Sequence, residues 1–393
     1  MFQKITDKSY FIILILWLIS SFVFFYYVKI RYGEPPIYGN IDWERYFNGA
    51  NSIISLQWPE WPSKFYISYL LYLSLSLKFY FPLSSLMFNC FFNLISSYLI
   101  FKITLNLFNI RAAWISIIIF LFYPYVQMWV YFIQPVSFFS FCILLLTLLI
   151  TFKLNLRISI LILIAGLMVL SARPNGIGIY LSLVIFLFSK YLQFKNKDYL
   201  LLFFFSFFIF ITYFFYLKSG LSLIPIYETW FMEDIKQFGF VIPELNTTNL
   251  SKCLNFTDEK ILNLNRENSG KTNLSFWACS LYYNPIDVIK IFSYRAFAML
   301  SYIKPVFSTK HNIFSVLTLF PIYVFFIFSL IKFYNLKLNF IFLSLIIFIF
   351  LSCIAVVDGD NRYFSAIFPT IIIVSSGGIS YFVKLVGLYL KKI

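Results

Sequence analysis

The stretch YFIILILWLISSFVFFYYV, residues 10–28, contains no charged residue, no proline and no glycine. A continuous apolar run of about 20 residues is typical of a helix that crosses a membrane, where the backbone must satisfy its own hydrogen bonds. Similar runs recur along the chain of 393 residues, which is 61% hydrophobic and 12% charged. The runs do not alternate apolar with polar residues, so they favour helices over barrel strands. We therefore predict an all-α polytopic membrane protein.

The runs predict one membrane domain over residues 1–393 with about ten transmembrane helices. These spans lie near residues 10–28, 83–101, 112–126, 135–152, 158–172, 174–190, 199–217, 313–331, 338–356 and 363–383. Cys90, Cys142 and Cys353 fall inside predicted spans, where we expect them to serve as small packing residues.

Basic residues alternate between the loops that join these spans. One set of loops and termini is rich in Lys and Arg: Lys4, Lys8, Lys102, Arg111, Lys153, Arg157, Lys190, Lys195, Lys197, Lys332, Lys337, Lys384, Lys391 and Lys392. Because such residues are retained on the cytoplasmic side, we predict that both termini are cytoplasmic in a plasma membrane, with a bacterial inner membrane expected. The net charge of +15 then reflects this bias and attraction to anionic lipids, and it does not indicate nucleic-acid binding.

This topology places two long segments, residues 29–82 and 218–312, on the outer face. We expect interfacial helices at 65–81 and 285–304, where apolar residues are interrupted by Ser, Tyr, Lys or Arg. The polar region 228–284 is expected to form a small cap. It contains Cys253 and Cys279, which could form a disulfide in an oxidising compartment or stay reduced.

The sequence contains none of the common motifs of soluble enzymes, such as a phosphate-binding glycine loop. The chain has a single histidine, His311, which excludes a multi-histidine metal centre. Other residues could still hold a divalent metal ion. Any catalysis is therefore expected to depend on carboxylates, basic residues and aromatics at the outer membrane face.

The stretch DWERY at residues 42–46 is the first candidate site, placed in the first outer loop. A carboxylate that is partly shielded from water can act as a general base, which makes Asp42 and Glu44 candidate catalytic residues. Arg45 could pair with one of them or contact an anionic group. Tyr46 is expected to anchor at the membrane interface or to stack on a sugar ring. The alternative is a solvated loop whose charges have no catalytic role.

The second candidate is Arg173, in a tight outer connection with the sequence SARPNG at 171–176. A guanidinium at the edge of hydrocarbon is costly unless it is paired, and its planar donors match phosphate oxygens. A structural ion pair with Asp42 or Asp358 is the competing explanation.

The third candidate is the stretch DGDNRY at 358–363, which supplies Asp358, Asp360, Arg362 and Tyr363. Its alternative role is a charged helix cap. All three clusters are predicted on one side of the membrane, so we expect them to converge on an outer cavity, with Lys304 adding positive charge.

The order of these features resembles the GT-C superfamily of integral-membrane glycosyltransferases, in particular the branch of protein O-mannosyltransferases and aminoarabinose transferases. The resemblance covers roughly residues 10–190 and more weakly 340–383. It rests on DWERYFNGA at 42–50, which is similar to a first-loop DExRYxxxA pattern, and on Arg111 to Ala113 before Phe122 to Pro124, Gln134-Pro135, Ala172 to Gly176, and Asn361 to Tyr363 followed by Pro369.

The resemblance implies transfer of a sugar from a polyprenyl-phosphate carrier to a lipid, glycan or protein acceptor on the outer face. It implies that Asp42 is the catalytic carboxylate and that Arg173 and Arg362 handle the carrier phosphate. Trp43 stands at the second position of the family's acidic pair, and Glu44 follows one residue later.

Two other functions stay open. A polysaccharide polymerase or ligase that uses lipid-linked glycans would share the outer loops and the arginines. A transporter or lipid flippase would instead place charged or broken-helix sites near the middle of the membrane.

Overall fold

In the computed structural model, the described residues are 7–37, 42–59, 63–218, 226–227, 271–272, 285–301, 303, 308–333, 335–355 and 362–390. They contain these α-helices: α1 Asp7–Tyr32, α2 Asp42–Ile54, α3 Ile67–Lys78, α4 Leu83–Leu107, α5 Ile110–Phe122, α6 Pro124–Gln127, α7 Val136–Thr151, α8 Leu156–Ala172, α9 Gly176–Phe194, α10 Lys197–Lys218, α11 Pro285–Ser301, α12 Thr309–Lys332, α13 Leu336–Ala355 and α14 Arg362–Leu390. Two 3₁₀ turns, Ser63–Tyr66 and Met128–Tyr131, accompany them. Two-residue strands, β1 Ile226–Tyr227 and β2 Lys271–Thr272, pair antiparallel.

The predicted helical, multi-pass architecture is confirmed at this level. Within the described residues, six helices are long and apolar enough to cross a membrane, and a seventh span results if α5 and Pro124–Tyr131 are counted together. Helices α7 and α8 also coincide with predicted spans but have only 16 and 17 residues. The predicted total of ten therefore stays a prediction.

The chain forms two compact units. The first comprises residues 1–208, 321–347 and 362–393, and the second comprises 209–320 and 348–361. The second unit largely coincides with the predicted large outer segment. In it, Arg295 of α11 is buried and donates to the backbone carbonyl of Cys353 at 2.7 Å, so this arginine does not lie at an exposed interface.

In the first unit, helix ends form two sets that agree with the charge alternation. At one end, Lys337 Nζ donates to the carbonyl of Thr151 at 2.8 Å, and Ser380 Oγ bonds Asn109 Oδ1 at 3.0 Å. At the other end, Ser365 Oγ donates to the carbonyl of Tyr125 at 2.7 Å. Among the described residues of this unit, the helix ends at Lys337 and Asn109 thus lie at one end, and Arg362, at the start of α14, lies at the other.

Close packing of α12 and α14 depends on small residues. A Cβ atom at Gly378 would lie 2.4 Å from the carbonyl oxygen of Phe325, so only glycine permits this approach. Ser375 Oγ donates across the same interface to the carbonyl of Ile322 at 2.8 Å. Small residues and interhelical hydrogen bonds are typical of membrane helix packing.

The cysteines of the described chain are free thiols. Cys142 and Cys353 are buried and Cys90 is partly buried, which fits their predicted packing role.

A sharp break separates α5 from the segment Pro124–Tyr131, with a bend of 64°. The proline at the first position of α6 explains why the helix cannot continue unbroken. Gln127 Nε2 donates to the carbonyl of Phe120 at 2.8 Å and thereby satisfies an acceptor near the break. The following connection is held by Asn89, whose Nδ2 donates to the carbonyl of Phe132 at 3.0 Å and whose Oδ1 accepts from Tyr72 OH at 3.1 Å.

Candidate functional site

The DWERY stretch is helical, which differs from the predicted loop. Asp42 is the first residue of α2, and acidic residues are favourable at a helix start because of the unsatisfied N–H groups there. The side chain of Glu44 is exposed, so it lacks the partial shielding from water that we expected of a catalytic base. The side chain of Asp42 lies outside the described part of the structure.

Arg45 and Tyr46 face an aromatic cluster beside α2. The guanidinium carbon of Arg45 lies 5.4 Å from the Tyr46 ring centre and 5.8 Å from that of Tyr66. Tyr46 is 1% exposed, and its ring lies 5.3 Å from that of Tyr69. Tyr46 is therefore a packing residue in this conformation and not an interfacial anchor, while its predicted contact with a sugar stays untested.

Tyr69 of α3 connects this cluster to α7. Its ring centre lies 6.3 Å from that of Phe138, and its hydroxyl is buried without a hydrogen-bond partner. Burial raises the pKa of Tyr69 well above its ordinary value, and the neighbouring Tyr72 and Tyr46 add to the effect. The phenol is therefore neutral at physiological pH and is not a candidate base.

Arg173 is the most unusual residue of the site. It follows α8 in extended conformation and is 1% exposed. Its Nη1 donates to the carbonyl of Arg362 at 3.3 Å, and its guanidinium carbon lies 6.0 Å from the Phe139 ring centre. Its Nε is buried without a hydrogen-bond partner, and no carboxylate among the described residues forms an ion pair with it. A buried positive charge with a free donor is thus present at this end of the bundle.

A tight turn fixes the position of Arg173. The N–H of Gly176 donates to the carbonyl of Arg173 at 2.9 Å. A Cβ atom at Gly176 would lie 1.9 Å from the carbonyl oxygen of Val169, so no other residue fits without moving the backbone. The glycine therefore explains why the SARPNG sequence can carry an arginine at a buried position.

Tyr363 lies close to two guanidinium groups at the start of α14. The guanidinium carbon of Arg173 is 4.4 Å from the ring centre of Tyr363, and that of Arg362 is 5.7 Å from it. The first residues of a helix also have N–H groups without intrahelical partners, which favour negative charge. Two arginines therefore lie together at a helix start among the described residues.

Contacts link part of the candidate set, while its convergence on an outer cavity stays a prediction. The aromatic contacts connect Arg45 and Tyr46, through Tyr69 and the adjacent Phe138 and Phe139, to the arginine pair Arg173 and Arg362 with Tyr363. The remaining candidates, Lys304, Asp358, Asp360, Cys253 and Cys279, lie outside the described residues. The ion pair of Arg173 with Asp42 or Asp358, the helix cap and the disulfide therefore stay predictions.

No group of three or more His, Cys, Asp or Glu side chains that could hold a metal ion occurs among the residues that the structure describes. The described candidates are the exposed carboxylate of Glu44 together with basic and aromatic side chains.

Sequence reasoning missed a small cavity near the break after α5, with apolar and polar side chains in its wall. It is lined by Asn93, Ser96, Phe120, Val126, Val136, Ser137, Ser140 and Ser365. The hydroxyls of Ser96 and Ser140 are buried without hydrogen-bond partners. The signal was the recurrence of Asn89, Asn93 and Ser96 at helical spacing within an apolar run, which marks one polar face of α4.

Comparison of the chain with protein-family models and with curated protein sequences found no match. Its function is therefore inferred from its own residues and their arrangement.

Proposed function

We propose that the chain is a glycosyltransferase of the GT-C type, which moves a sugar from a polyprenyl-phosphate-linked donor to an acceptor on the outer membrane face. The proposal rests on the environment of the Arg173 guanidinium. This group is buried, lies over the Tyr363 ring and has an Nε donor without a hydrogen-bond partner. The resemblance of DWERYFNGA and SARPNG to the family's motifs supports the same function.

The buried guanidinium of Arg173 has no carboxylate partner among the described residues, which favours an anionic ligand. Removing a charge from water costs several kcal/mol unless hydrogen bonds and an opposite charge compensate. A phosphate supplies both, because its oxygens accept charge-assisted hydrogen bonds from the planar guanidinium. Nη1 of Arg173 is occupied by the carbonyl of Arg362, which leaves the Nε side for a phosphate oxygen.

The proposed reaction uses the two groups of residues in different roles. The Asp42 carboxylate takes the proton of the acceptor hydroxyl, whose oxygen then attacks the anomeric carbon of the donor sugar. The bond between that carbon and the phosphate oxygen breaks, and its electron pair leaves with the carrier phosphate. Arg173 and Arg362 stabilise the negative charge that develops on the phosphate. Glu44 and Arg45 would position the acceptor or the carboxylate.

Sugar transfer in isolated membranes tests this function. The donor is a radiolabelled polyprenyl-phosphate sugar, and the variants are Asp42→Asn and Arg173→Gln. Loss of a general base or of a charge-stabilising donor typically lowers the rate by about 100-fold or more. The matched control is Arg157→Gln, which removes an exposed arginine at the start of α8. Transfer at the wild-type rate by folded Asp42→Asn and Arg173→Gln proteins would exclude the proposed roles.

One observation favours a second function, that of a transporter or lipid flippase. Helix α5 is broken from the following segment by 64°, and a cavity with polar side chains lies beside the break. Broken helices with polar groups are typical of translocation sites. Purified protein in liposomes would decide between the two: movement of a labelled polyprenyl phosphate between leaflets, without any sugar transfer, would favour translocation.

A further inference from the structure

A second cationic cluster lies at the opposite end of the first unit. Lys190 belongs to α9, and Lys337 is the second residue of α13. The rings of Phe186 and Phe340 are in contact at 5.5 Å, and each belongs to the helical turn next to one of these lysines. The two lysines are therefore neighbours, close enough for their like charges to repel.

Each ammonium group has contacts within the protein and retains N–H donors for a ligand. Lys337 Nζ donates to the carbonyl of Thr151, the last residue of α7, at 2.8 Å. An ammonium has three donors, so two donors of Lys337 have no partner among the described residues. Lys190 Nζ lies 5.7 Å from the Phe186 ring centre and 4.8 Å from that of Phe194. Both lysines are partly buried.

No acidic side chain neutralises this pair within the described part of the chain. The ion pair found there joins Lys29 to Glu34, and the exposed Asp198 pairs with neither lysine. Two like charges on adjacent, partly buried positions are unfavourable unless an anion lies between them. The arrangement is thus one that an anionic ligand would stabilise.

The surroundings of the pair indicate the kind of anion. Phe188, Leu192 and Phe194 on α9 are exposed apolar residues close to Lys190 in sequence. Such a surface suits acyl chains, while basic pockets between helices on the cytoplasmic side suit lipid headgroups. The pair is also separate from the Arg173 site. Thr151 and Phe139 are 12 residues apart on α7, which corresponds to about 18 Å along the helix.

We propose that Lys190 and Lys337 bind the phosphodiester of an anionic phospholipid, whose acyl chains lie against the exposed apolar side of α9. This site is independent of sugar transfer, since it involves none of the residues of the proposed reaction.

Lipid binding by the purified full-length chain in neutral detergent tests the proposal, with native mass spectrometry as the readout. The probes are phosphatidylglycerol and, as a neutral lipid, phosphatidylcholine. The wild type should prefer phosphatidylglycerol, and Lys190→Gln combined with Lys337→Gln should weaken its binding on the order of 25-fold, about fivefold for each lysine. Lys384→Gln, which removes an exposed lysine of α14, should bind as the wild type does.

Further variants keep the test decisive if the double variant does not fold. Lys190→Gln alone leaves the hydrogen bond between Lys337 and Thr151 intact and should lose about fivefold in affinity, while Lys190→Arg should retain the preference. Unchanged phosphatidylglycerol binding by folded glutamine variants would overturn the proposal, as would an equal loss in Lys384→Gln. Competition by millimolar inorganic phosphate as strong as that by the lipid would show a free-phosphate site and overturn the assignment to a lipid.

Discussion

The guanidinium carbon of Arg173 lies 4.4 Å from the centre of the Tyr363 ring, and the same arginine donates to the backbone carbonyl of Arg362. One residue between α8 and α9 is therefore fixed against the first turn of α14. The contact joins two of the three clusters that the sequence indicated. It also positions the free Nε donor of Arg173 by packing, without any carboxylate among the described residues.

Replacement of Tyr363 should separate the role of its ring from that of its hydroxyl. Tyr363→Phe keeps the aromatic face under Arg173 and should leave sugar transfer within about twofold of the wild type. Tyr363→Leu removes a cation–π contact worth about 1–2 kcal/mol and should raise the KM for the lipid-linked donor roughly tenfold. Donor titrations in membranes measure both values. Equal kinetics for the Phe and Leu variants would contradict a positioning role for the ring.

Gly176 should be intolerant of even a methyl group. In Gly176→Ala the new Cβ atom would meet the carbonyl oxygen of Val169, so the turn that carries Arg173 must move. We expect a loss of about 3 kcal/mol or more and a strongly reduced yield of folded protein. Gly387→Ala is the matched control, because no atom lies within 4 Å of its new Cβ position. Thermal unfolding in detergent should show a lower midpoint for the first variant, and an unchanged midpoint would be incompatible with the close approach.

Asn89 should contribute strongly to stability. Asn89→Leu removes the donor to the Phe132 carbonyl and the acceptor of the Tyr72 hydroxyl, and it leaves both groups buried. The Phe132 carbonyl still accepts from the N–H of Gln134, and the Tyr72 hydroxyl still donates to the carbonyl of Ser85. The variant therefore loses two buried hydrogen bonds, each of which contributes about 1 kcal/mol. The control is Ser52→Ala, which removes an exposed hydrogen bond to the carbonyl of Asn48 and should change stability by less than about 0.5 kcal/mol. Similar unfolding midpoints for the two variants would show that the connection after α6 is held by other contacts.

Reporter fusions should confirm the direction of the chain. Fusions after residues 40 and 240 should report the outer side, and a fusion at the C-terminus should report the cytoplasm, because the basic loops are retained inside. Alkaline phosphatase and green fluorescent protein provide complementary signals for the two sides. A cytoplasmic signal after residue 40 or 240 would place the DWERY stretch or the large outer segment on the wrong side for the proposed reaction.

The helical class could be predicted from the sequence, because each apolar run is long enough to be recognised on its own. The Lys/Arg bias of the loops likewise predicted which helix ends lie together. The sequence was also sufficient to bring Arg173 and Arg362 into one site. The sequence did not predict that Asp42 begins a helix. The charged and aromatic residues of DWERY suggested a loop, and the amphipathic pattern of α2 was not recognised. The burial of Tyr46 was missed for a different reason: it depends on partners in α3 that no local pattern identifies. Pro124 marks the break locally, but the hydrogen bonds of Gln127 and Asn89 that stabilise the surrounding backbone come from distant partners or adjacent turns that the sequence pattern does not identify.

The short helices around the site have a consequence for the lipid beside them. Helices α5, α7 and α8 have 13, 16 and 17 residues, which correspond to about 20, 24 and 26 Å, whereas a hydrocarbon core measures about 30 Å. If α7 and α8 each cross the membrane, we expect the hydrophobic mismatch to thin the bilayer locally. Thinning would bring the headgroup layer closer to Arg173, which follows α8. A lipid-linked donor would then reach the arginine by lateral diffusion within its own leaflet, with its phosphate already at the depth of the guanidinium.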